Sequence, residues 1–121
     1  MKELINISGQ QFYHSAIDQL IERCSQNEKC AIIIDEDHLD ELLKKAIDII
    51  GKNVNQIIII SDTINKALEP LIDKDVLLLA TNSFEHGTRL AMLGSALSKT
   101  VICVLDEDTE KLKEIIKGVE V

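Results

Sequence analysis

Five times along the chain a short apolar segment leads into a polar or acidic residue and then into an amphipathic stretch. The apolar segments are Leu4-Ile5-Asn6-Ile7, Cys30-Ala31-Ile32-Ile33-Ile34, Ile57-Ile58-Ile59-Ile60, Val76-Leu77-Leu78-Leu79 and Val101-Ile102-Cys103-Val104-Leu105. Segments of this kind suit strands whose two faces are both covered by helices. Strand and helix in repeated alternation imply a parallel sheet joined by right-handed crossovers. The expected architecture is a single α/β domain over residues 1–121, three-layered and Rossmann-like or flavodoxin-like, with a five-stranded, mainly parallel sheet.

The segments between these runs read as helices. Ser8-Gly9 is expected to cap a first helix with Phe12, Ala16, Ile17, Leu20 and Ile21 along one face. Asp35-Glu36-Asp37 opens a second, with Leu39, Leu42, Leu43, Ala46, Ile47 and Ile50 inward, and Gly51 stops it. A short third runs from Ile64 to about Ile72, capped from within Ser61-Asp62-Thr63 and ended or kinked by Pro70. Thr81-Asn82-Ser83 caps a fourth, whose small residues Gly87, Ala91, Gly94 and Ser95 let it pack closely. The last starts at Glu107-Asp108-Thr109 and carries Leu112, Ile115 and Ile116.

Composition narrows function by exclusion. With 45% hydrophobic and 28% charged residues the chain is neither disordered nor membrane-like. Its apolar runs fall far short of the ~20 residues of a membrane span. Met1-Lys2-Glu3-Leu4-Ile5-Asn6 lacks the unbroken apolar core of an export signal, so a cytoplasmic protein is expected. A net charge of −8 leaves no cationic surplus for strong binding of nucleic acid. Cys24, Cys30 and Cys103 form no CxxC pair and read as small core residues.

Chemistry, if present, belongs beyond the carboxyl ends of the strands. Those ends carry Ser8, Asp35, Asp62, Thr81 and Asp106, with Asp37 just after. Asp35, Asp37, Asp62 and Asp106 thus form a possible ligand rim, and carboxylates so placed suit Mg²⁺. The same residues are ordinary helix caps. No phosphate loop, nucleophile elbow, Ser/His/Asp arrangement or zinc spacing occurs, and no catalytic residue, metal or cofactor is assigned. His14, His38 and His86 each sit in or beside an expected helix, and His38 reads as a solvated residue at a helix start.

Ala31 to Gly51 looks like the first strand and helix of a receiver domain of two-component signalling. Where such domains place a phosphate-accepting aspartate this chain has Ala80-Thr81-Asn82, so the match implies a degenerate, non-phosphorylated module. A fuller resemblance is to the chi-subunit family of bacterial DNA polymerase III. Its first block is Ala16-Ile17-Asp18-Gln19-Leu20-Ile21-Glu22-Arg23, Lys29-Cys30-Ala31-Ile32-Ile33 and Leu39-Asp40-Glu41-Leu42-Leu43. Its second is Asp75-Val76-Leu77-Leu78-Leu79, Thr100 to Asp106 and Glu110 to Lys117. The family's aromatic stretch ending in Leu-Pro-His is missing, and with it the expectation of binding a psi subunit. The resemblance implies a non-enzymatic replisome adaptor between the clamp loader and single-stranded DNA-binding protein. It also implies that Lys111, Lys113 and Lys117 receive that protein's acidic C-terminal tail. The alternatives are the receiver-like interaction module, or a small metal-dependent or nucleotide-binding enzyme using the acidic rim.

Overall fold

The computed structural model describes residues 1–24, 29–62 and 66–119. It is α/β as expected, with a mostly parallel sheet flanked by helices, but the sheet has six strands. In chain order the elements are β1 (Lys2–Ile7), β2 (Gln10–His14), α1 (Ile17–Cys24), β3 (Cys30–Asp35), α2 (Glu36–Ala46), β4 (Val54–Ile60), β5 (Leu77–Thr81), α3 (Phe84–Leu93), β6 (Thr100–Val104) and α4 (Thr109–Val119). Short 3-10 turns follow α2, at Ile47–Ile49, and precede β5, at Lys66–Leu71.

The strands lie in the order β1-β2-β6-β3-β4-β5. Among the described residues only β1 against β2 is antiparallel; β2–β6, β6–β3, β3–β4 and β4–β5 are all parallel. The expectation of five neighbouring parallel strands is therefore corrected at one end of the sheet. The Leu4–Ile7 run pairs with β2 and with no other apolar run.

β2 is the strand that hydrophobic patterning mistook for the start of a helix. Ser8 and Gly9 do not cap a helix; their φ values of 51° and 85° make the two-residue loop of a hairpin, closed by the Ile7–Gln10 pair. A turn with positive φ at both central residues matches strand twist, and glycine takes the second position without strain. Phe12 had seemed to share a helical stripe with Ile17 and Leu20. In fact Phe12 packs with Ala31, Ile33 and Cys103 on one face of the sheet, while Ile17 and Leu20 pack on the other. Gln10 is buried within β2 because its Nε2 donates to the carbonyls of Ala91 and Ser98, at 2.9 and 3.1 Å. The Ala91 carbonyl lies in the last turn of α3, where carbonyls lack an intrahelical donor, so the buried amide is satisfied rather than costly.

Two cores follow from the alternation of the central strands. Ile32, Ile34, Ile57, Ile59, Ile102 and Val104 face α1, α2 and the Lys66–Leu71 turn; Ala31, Ile33, Ile58, Val101 and Cys103 face α3 and α4. The cysteines Cys24, Cys30 and Cys103 are buried, and burial pushes the Cys103 thiol up, away from a reactive thiolate. The small face of α3 is used as expected. A methyl at Gly87 would meet Ile33 and Ile58 side chains at 3.5 and 3.4 Å, so α3 lies close on the sheet.

Helix caps account for most remaining signals. Asp35 caps α2 by accepting from the His38 amide, and Ser83 caps α3 by accepting from the His86 amide. The third helix, expected to begin at Ile64, starts outside the described residues. What is described is the 3-10 turn with Pro70 inside it, where a missing N–H costs less than in a long α-helix. Of the cap candidates Ser61-Asp62-Thr63, Thr63 also lies outside them. α3 ends at Leu93, with Gly94 as its C-cap, so Leu97 is not helical and is half exposed.

Candidate functional site

The handedness of the crossovers opens one end of the sheet. After β2 and β3 the chain turns to the face of α1 and α2; after β6, which lies between them, it turns to the face of α4. Strand ends whose connections leave in opposite directions leave a gap between them, the switch point where α/β proteins hold ligands. Here the gap is a 460 Å³ crevice lined by His14, Ser15, Ile17, Asp18, His38, Glu41, Leu105, Asp106 and Thr109, among others.

His14, the last residue of β2, joins one wall to the Leu105–Thr109 segment. Its Nε2 lies 2.9 Å from the Leu105 carbonyl and its Nδ1 lies 2.8 Å from Thr109 Oγ1. A carbonyl only accepts, so Nε2 carries a hydrogen; in the neutral ring the Thr109 hydroxyl then donates to Nδ1. Both ring nitrogens are thus spent on holding the start of α4.

His38 stands on the opposite wall, in the first turn of α2. Its Nδ1 is 2.6 Å from Asp35 Oδ1, which also accepts the His38 amide, and its Nε2 is 3.3 Å from Asp106 Oδ1. Its side chain is only 21% exposed, so the expectation of a solvated helix-start histidine is corrected. Burial works against the imidazolium. The hydrogen bond to Asp35 and the charges of Asp35, Asp106 and Glu41 outweigh it, and the His38 pKa is raised above 6.5. Behind it Lys45 bridges Glu41 and Asp18 at 2.9 and 3.3 Å, tying α2 to α1.

The rim residues do not act as one group. Asp35 and Asp106 meet through His38, whereas Asp37 and Asp62 are exposed, Asp37 on α2 and Asp62 beyond the end of β4. Asp35 serves as the α2 cap. Beside it Ser61 donates to Glu36 at 2.5 Å, closing the β4 end onto α2. Among the described residues no three His, Cys, Asp or Glu side chains are placed to hold a metal ion. His86 is exposed on α3, far along the chain from the crevice residues.

His14 and Thr109 were missed because nothing in the sequence joins residues 95 positions apart. The only available signal was the hairpin turn, which would have turned the segment after Gly9 into a strand and carried His14 to a strand end.

The lysines lie elsewhere, on α4. Lys111 pairs with Glu107 at 3.1 Å and Lys117 with Glu114 at 3.9 Å, whereas Lys113 has no ion-pair partner among the described residues. Leu112 and Ile116 are 1% and 0% exposed, so the apolar notch expected from them beside the lysines is absent. The half-buried Ile115, one turn beyond Lys111, is the apolar group that α4 leaves within reach.

Together the fold and the crevice define a Rossmann-like α/β domain with a polar switch point. No family model matches the chain, and no curated protein is significantly similar to it. Among the described residues no helix is long and apolar enough to cross a membrane.

Proposed function

We propose that this protein is a non-enzymatic adaptor of the chi type, linking the clamp loader of DNA polymerase III to single-stranded DNA-binding protein. The observation that carries this is the disposition of α4, whose apolar side is consumed by the core while Lys111, Lys113 and Lys117 stay at the surface. The two blocks of the chi resemblance fall on α1, β3 and α2 and on β5, β6 and α4, all built on one sheet. Both fit a module that offers a surface rather than a reaction.

An acidic tail has to be drawn by local charge, because the whole chain is negative. Lys113 gives the tail a free cation, and Lys111 and Lys117 exchange weak internal pairs for tail carboxylates. Exposed pairs contribute about 0.2–1 kcal/mol each, so affinity is micromolar at best and falls with salt. Calorimetric titration with an acidic peptide ending in phenylalanine should give saturable binding at low salt. Lys113→Glu together with Lys117→Glu should abolish it while leaving the circular dichroism unchanged. No binding at low salt, or binding indifferent to the double reversal, removes the adaptor assignment and favours a receiver-like interaction module.

A further inference from the structure

We propose that His38 is a proton-operated clasp that fastens the Leu105–Asp108 loop, and with it the start of α4, to the α2 corner of the switch-point crevice. The chemistry of the three groups dictates this. Asp35 accepts at 2.6 Å, so the proton on Nδ1 stays there in both charge states of the ring. The state of the other nitrogen is what changes. In the imidazolium, Nε2–H donates to Asp106 at 3.3 Å and the ring spans the carboxylates of two strands. In neutral imidazole, the Nε2 lone pair faces a carboxylate oxygen, and two acceptors at that distance repel.

Asp106 is 83% exposed and has water to turn to, so loss of one proton releases the loop at little cost. Asp35 cannot follow, because it also caps α2. The loop then keeps the His14 bonds to Leu105 and Thr109 and the packing of Leu105 on the core. The charged and titratable groups around His38 in the crevice are Asp35 at the end of β3, Glu41 on α2, Asp106 after β6, Asp18 on α1, His14 on β2, Lys2 on β1 and the Met1 ammonium, which bonds Gln19. Carboxylates predominate, and they raise the His38 pKa above its ordinary value. This moves the release to a higher pH than an unperturbed histidine would give. It does not depend on the adaptor assignment; if both hold, it regulates the mounting of the lysine-bearing helix.

Nuclear magnetic resonance titration of the whole protein tests it, following the His38 ring and the backbone amides of Asp106, Glu107 and Asp108. In the wild type these amides should shift with the same midpoint as His38. In Asp106→Asn, at an exposed site that should not disturb folding, the His38 midpoint should fall, because a charge that raises it is removed. The loop should then stop following it. His38→Gln should leave the loop amides without that transition, and Glu41→Gln should lower the midpoint yet keep the loop coupled. An unchanged midpoint in Asp106→Asn, or a loop transition that persists in His38→Gln, overturns the clasp.

Discussion

Two histidines hold the same loop from opposite sides, and they hold it by different physics. His14 bonds to a carbonyl and a hydroxyl, both neutral. His38 bonds to two carboxylates, one of them almost fully exposed. Neutral partners hold a neutral imidazole well, whereas carboxylate partners reward the charged ring. One residue type at one crevice thus makes an anchor with neutral partners on the β2 side and one with carboxylate partners on the α2 side. Partners decide the role, not the side chain.

The largest effect should come from breaking the β2 side at its root. Phe12 is fully buried in β2, two residues before His14, and Phe12→Ala should cost about 3–5 kcal/mol by leaving a cavity under α3 and α4. Urea unfolding would measure it. A loss below about 1 kcal/mol would mean that β2 is not packed into the sheet.

A smaller loss is expected from the β2 anchor itself. His14→Ala strands the Leu105 carbonyl and the Thr109 hydroxyl, each part-buried, and should cost about 1–3 kcal/mol. The same unfolding experiment measures it, and a neutral result would show that water replaces the ring without penalty.

The anchor on carboxylates should give the smallest effect, and that effect should vary with pH. His38 has a folded pKa above its unfolded value of 6.5. Its contribution is therefore fully present below the unfolded value and is lost as pH rises through the folded value. His38→Gln should destabilise by about 1 kcal/mol near about pH 5.5 and by clearly less near about pH 8.5, since the pair is partly solvent-screened. Equal losses at both pH values would remove the difference between the two histidines.

Much of the fold was legible before any coordinate. The runs at Cys30–Ile34, Ile57–Ile60 and Val101–Leu105 are central strands, with both faces covered. An unbroken apolar run has no other stable place in a chain of this kind. Asp35 and Ser83 were recognisable as caps because capping is local, settled within three residues of backbone.

β2 was illegible for the opposite reason. Its Gln10-Gln11-Phe12-Tyr13-His14 has the polar content of a loop, and it is a strand only because the Ser8-Gly9 turn folds it back between β1 and β6. The acidic rim was read as a set, but strand order separates its members. β6 inserts beside β3, which brings Asp106 to His38, and β4 carries Asp62 to the other side. Sequence alone determined the central strands and where α2, α3 and α4 begin, because those are matters of local propensity and burial. Only the tertiary structure decided which strand ends meet, and so gave His14 and His38 their partners, because pairing between distant strands is set by packing the whole sheet at once.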